Sequence, residues 1–152
     1  MDIIRLQPNY ANIMTARHND DPRLARLSKI CLALPEATRA IHSDYADFRV
    51  RKKVFAYFLN NHNGDGIVSV CVKSALGENV DQASTQPDRY YLPRYIGPRG
   101  WFGMRMDRGK IDWREVRNIV ELSYCLVAPK SLARLIESGI LTKGTKIKTA
   151  RR

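Results

Sequence analysis

The chain has 152 residues, of which 44% are hydrophobic and 27% charged, a size and balance at which one domain builds a real core and intrinsic disorder is excluded. Its apolar runs, such as residues 54–59 and 67–72, are far shorter than the ~20 residues of a membrane-spanning helix. The formal net charge of +11 and pI of about 9.9 point to anionic partners, nucleic acid first among them.

Residues 1–19 lack clear periodicity and read as an arm or short helix. Asp20-Asp21-Pro22 reads as a helix start, a carboxylate cap followed by proline in the first turn. Leu24, Leu27, Cys31 and Leu34 follow on one face, and Pro35 ends the helix. From Phe48 the pattern changes to β-branched and aromatic runs broken by polar residues, which predicts strands at 48–50, 54–60 and 66–73 joined as hairpins. Residues 74–89, rich in Ser, Gln, Asp and Gly, read as a long loop. Residues 101–107 restore a strand, with Phe102, Met104 and Met106 on one side and Trp101, Gly103 and Arg105 on the other. Asp112 and Glu115 fit a capping box, with Ile111 and Val116 as its hydrophobic staple. Val116, Ile119, Val120, Tyr124 and Val127 then form a stripe that stops at Pro129. A last helix carries Leu132, Leu135 and Ile136 and ends at Gly139. The expectation is an α+β fold: a single domain over residues 20–139 with an antiparallel sheet flanked by helices, followed by a basic tail at 140–152.

The positive charge is patterned. Arg49, Arg51, Lys52 and Lys53 contribute +4, residues 89–117 hold eight bases against three acids, and residues 143–152 hold five bases and no acid. Cys31, Cys71 and Cys125, odd in number and widely spaced, indicate neither a disulfide framework nor a zinc site and read as buried thiols. The stretch from Asn61 to Gly66 resembles the opening of an EF-hand loop, but the twelfth position is Val72 instead of glutamate, so it reads as a hairpin turn. His18, His42 and His62 are scattered, without a second ligand at metal spacing. Phosphate-loop, nucleophile-elbow and dinucleotide-binding signatures are absent, so neither an enzyme nor a cofactor is expected. The N-terminus lacks the basic flank and apolar run of a secretory signal, so a cytoplasmic protein is expected.

Several blocks occur in one order and spacing. They are Leu34-Pro35-Glu36, then the run from Phe48 to Phe58 that contains Arg49-Val50-Arg51-Lys52-Lys53, then Pro93-Arg94-Tyr95-Ile96-Gly97-Pro98-Arg99-Gly100-Trp101. Asp112-Trp113 and the run from Ser123 to Lys130 complete the set. Over roughly residues 30–136 the chain resembles the MmcQ/YjbR family, small bacterial proteins commonly described as DNA-binding. The resemblance implies a compact α+β domain similar to frataxin-like and double-wing DNA-binding folds. The chain departs from the family pattern at Lys52, where a glycine is usual in the hairpin turn, and at Asp44-Tyr45-Ala46-Asp47, where glycine and proline are usual. A non-glycine residue at positive φ costs about 1 kcal/mol, so a different turn is expected there. Frataxin-like iron proteins use an acidic helix ridge, whereas the first helix here carries Arg23, Arg26 and Lys29 against Asp21, so iron handling is not carried over.

The leading reading is a non-enzymatic module that binds DNA, or RNA or another polyanion, with a basic sheet and loop surface neutralising phosphates. The candidate contacts are Arg49, Arg51, Lys52 and Lys53 at the first hairpin, with Arg94, Arg99 and Arg105 around the 93–101 loop. Tyr95 and Trp101 would add base stacking, the alternative for Trp101 being a place in the core. The other readings are an adaptor for an acidic protein and, third, an enzyme or binder for an anionic small molecule beside the 74–100 segment.

Overall fold

Asp21 starts the first helix, α1 (Pro22–Leu32), by accepting from the backbone N–H of Arg23 at 2.9 Å, with Pro22 beginning the first turn. The structure is a computed structural model that describes residues 20–139; the expected N-terminal arm and basic tail lie outside the described residues. Leu24, Leu27, Ile30 and Cys31 make the buried face of α1.

Six strands follow: β1 (Thr38–Ile41), β2 (Tyr45–Val50), β3 (Lys53–Asn60), β4 (Val68–Lys73), β5 (Tyr90–Tyr91) and β6 (Trp101–Arg105). They form one antiparallel sheet in the order β1-β2-β3-β4-β6-β5. The three strands expected between 48 and 73 are present, and β1 and β5 are additional. Neither carries an apolar run long enough to announce itself: β1 is mostly exposed and β5 has two residues.

A helix, α2 (Glu78–Thr85), stands where the sequence pattern indicates a loop. Its one buried side chain is polar, so there was no apolar stripe to read. That side chain is Asn79, whose Nδ2 donates to the carbonyls of Gly97 at 2.7 Å and Trp101 at 3.1 Å.

The long helix α3 (Trp113–Val127) and α4 (Lys130–Glu137) complete the described residues. Asp112 caps α3 by accepting from the N–H groups of Arg114 and Glu115. The carboxylate of Glu115 instead accepts from the Tyr90 hydroxyl at 2.9 Å, so the capping box is half made. The main core lies between one sheet face and the helices, where Phe48, Phe55, Phe58, Val70, Val72 and Met104 meet Leu24, Leu27, Val120, Tyr124 and Ile136. Ser123 pins α3 to the sheet, donating to the Phe55 carbonyl at 2.7 Å and accepting from the Lys73 N–H at 3.0 Å. No helix among the described residues is long and apolar enough to cross a membrane.

Candidate nucleic-acid interface

Strand alternation sends every second residue to the sheet face opposite the main core. Across five strands Asp47, Tyr57, Cys71, Gly103 and Tyr91 form one row, and Tyr45, Leu59, Ser69 and Arg105 form the next. Among the described residues, the apolar cluster on this face is built from strand residues and Ile96 of the 92–100 loop, with none from α1, α2, α3 or α4. Gly103 is required here because the ring of Tyr91 lies where a Cβ would stand. The Tyr91 hydroxyl shares a hydrogen bond of 2.8 Å with Ser69 Oγ, and burial, with the neighbouring Cys71 thiol, pushes its pKa up.

A shallow pocket of about 200 Å³ opens on this face between Tyr45, Tyr57, His62, Arg94 and Tyr95. The Tyr45 ring is flanked by His42, stacked at 4.2 Å, and by His62 at 4.8 Å. His42 Nε2 lies 3.1 Å from Asp47 Oδ2, and His62 Nδ1 lies 3.1 Å from Asp44 Oδ1. The two histidines, scattered in sequence, thus bracket one tyrosine, because the β1–β2 turn that carries His42 and the β3–β4 turn that carries His62 meet at the start of β2. In that turn Asn61 Oδ1 accepts from the Gly66 N–H and Asp65 Oδ1 from the Ile67 N–H, so the loop's oxygens serve its own backbone. Burial, reinforced by Asp47, raises the Tyr57 phenol. Tyr95 is 78% exposed and holds a φ of +68°, a conformation a bulky side chain adopts at a cost of about 1–3 kcal/mol.

The structure divides the expected contact residues. Arg49 lies on this face, but its Nε donates to Asp47 at 2.9 Å, and Asp47 is itself buried. Arg51 turns away and forms a bidentate pair with Glu36. Arg105 is held the same way by Asp107, at 2.8 and 2.9 Å. Arg94, Arg99, Lys52 and Lys53 are exposed and form no ion pair among the described residues. Trp101 is 7% exposed, with its ring 5.2 Å from that of Tyr57, so it belongs to the wall of this face and offers no free platform. The hairpin keeps positive φ at both central residues, +49° at Arg51 and +72° at Lys52, so the expected change of turn does not occur and the strain is carried.

The family model described as YjbR matches residues 32–126. The chain belongs to the YjbR family. The fold is similar to the crystal structure of Deinococcus radiodurans protein DR2400, a DUF419-domain protein, with a TM-score of 0.58 at 16% identity, covering 85% of this chain and 94% of that one. Comparison with curated proteins gives no match.

Within this YjbR domain, the sequence did not single out Tyr45, Tyr57 and His62 as pocket residues, nor His42, which stacks on Tyr45. Their one visible signal is alternation in 45–50 and 54–60, which places Tyr45 with Asp47 and Tyr57 with Leu59 on a common face. The loop that brings Arg94 and Tyr95 over that face is fixed by Asn79 and by Gly100. At Gly100 φ is +98° and a Cβ would stand 2.6 Å from the Ser74 carbonyl oxygen.

Proposed function

We propose that this YjbR protein binds nucleic acid, DNA in the first instance, through the sheet face opposite its main core. The carrying observation is the pocket in which Tyr45, Tyr57 and the exposed Tyr95 stand beside Arg94. An open antiparallel sheet bearing aromatics and unpaired cations suits splayed, unpaired bases, the rings stacking and the guanidinium groups meeting phosphates.

The test is a salt titration of a mixed-sequence single-stranded oligonucleotide and its duplex with the full chain. The expected result is stronger binding of the single strand, a log-linear fall with salt, and a loss of about 1–3 kcal/mol for Tyr95→Ala. Absence of binding at about 50 mM salt, a condition generous to phosphate contacts, overturns the reading.

A further inference from the structure

A second group of weakly compensated cations is on the helical side of the molecule. A cleft of about 320 Å³ between α1 and α3 is rimmed by Arg26, Lys29, Arg114 and Arg117 and floored by Ile30 and Trp113, with no acidic residue in its lining. Arg26 lies over the Trp113 ring, 4.8 Å from its centroid, which holds that guanidinium at the cleft mouth. Arg26, Lys29 and Arg114 make no ion pair among the described residues, and Arg117 reaches only the buried Glu121, at 4.0 Å.

Arg26 gains from the Trp113 ring and Lys29 from its place in the last turn of α1, where a cation suits the helix dipole, but the spacing of the four cations is unfavourable. Arg26 and Lys29 are three residues apart on one helix, Arg114 and Arg117 three apart on the other, and like charges at that spacing repel. Arg114 also sits in the first turn of α3, the positive end of the helix dipole, where a cation is unfavourable. Two such pairs facing one cleft make a concentrated positive field that an incoming chain of anions would relieve.

We propose that the α1/α3 cleft is a second nucleic-acid site, binding the phosphodiester backbone by charge without reading bases; this rests on the nucleic-acid reading above. Its chemistry differs from that of the sheet face. Cations over an apolar floor neutralise phosphates, and the ring of Trp113 in that floor is covered by Arg26, while Tyr45, Tyr57 and Tyr95 are on the other side. A single strand longer than one face, or two strands at once, would engage both.

The test uses the full chain with Lys143, Lys146, Lys148, Arg151 and Arg152 changed to glutamine, so that the tail contributes no charge. Two double variants, Lys29→Gln with Arg114→Gln and Arg94→Gln with Arg99→Gln, are titrated with salt against a 40-nucleotide single strand. Thermal unfolding checks that each is folded. Removing two phosphate contacts should lower the salt slope by about 1.4 and weaken binding about ten-fold at ~50 mM salt, equally for every sequence tried. If only the Arg94/Arg99 variant loses slope, the cleft proposal fails and the sheet-face reading stands. If only the Lys29/Arg114 variant loses it, the cleft stands and the sheet face fails. No binding by the tail-neutral parent, or no loss in either variant, overturns both. Poly-glutamate binding in the cleft as tightly as DNA of equal charge overturns the assignment to nucleic acid.

Discussion

The sheet face and the α1/α3 cleft both carry arginines, yet their fields differ because the secondary structure under them differs. In a strand residues two apart share a side, so Arg49 meets Asp47 within β2; Arg105, the last residue of β6, meets Asp107 in the bend that follows, and each cation is neutralised by its own sequence neighbour. In a helix residues three apart share a side, so Arg26 joins Lys29 and Arg114 joins Arg117, and the charges add. A count of bases along the chain gives the 49–53 hairpin four cations and no acid, whereas Asp47 and Glu36 cancel two of them. Charge has to be weighed by the period of the element that displays it.

The most disruptive way to break the comparison is Gly100→Ala, which combines a strained φ with a clash against a backbone carbonyl. It should cost about 1–3 kcal/mol in denaturant unfolding, and displace the 92–100 loop while the helical cleft keeps its charge. Asn79→Ala removes the donors to the Gly97 and Trp101 carbonyls, at about 1–3 kcal/mol. Faster amide exchange should then be confined to the loop and its neighbours on β6, and exchange spread equally into α1 and α3 would contradict the anchor role.

Tyr95→Gly separates stability from binding. Relief of the positive φ should raise stability by about 0.5–1 kcal/mol, while oligonucleotide affinity falls. Loss of stability on this change would mean that the exposed ring has a structural role. Lys52→Gly should also stabilise by about 0.5–1 kcal/mol through the same relief, with binding altered by at most one unit of salt slope.

The smallest effect concerns pH. Arg105 holds the Asp107 carboxyl below its ordinary value of 3.8. The stabilisation is therefore fully present above that value and is lost as pH falls through the lower folded-state pKa. Asp107→Asn should flatten the acid limb of the stability curve by less than ~1 kcal/mol, and an unchanged limb would show that the pair contributes nothing.

Elements with an apolar period were legible without coordinates: α1 from Leu24 to Cys31, the β3–β4 hairpin, the alternating faces of 101–106 and the stripe of α3. Elements held by polar bonds were not. α2 buries only Asn79, and the half-made capping box arises because Glu115 finds Tyr90, 25 residues away in sequence. Among the candidate contacts, the sequence placed Arg94, Arg99 and Tyr95 on one loop. It carried no information that Tyr45, Tyr57 and His62 would meet them, since that depends on strand register and on the path of the 92–100 segment.

By itself, then, the sequence determined the α+β class, the positions of the main helices and hairpins, membership of the YjbR family and the large positive charge, because hydrophobic period and composition are local properties. Tertiary structure alone decided which cations are cancelled, which tyrosines share a surface, and that the helices present a basic cleft. Ion pairing and pocket formation depend on distances between segments far apart in the chain, and those distances exist only once the sheet and helices have packed.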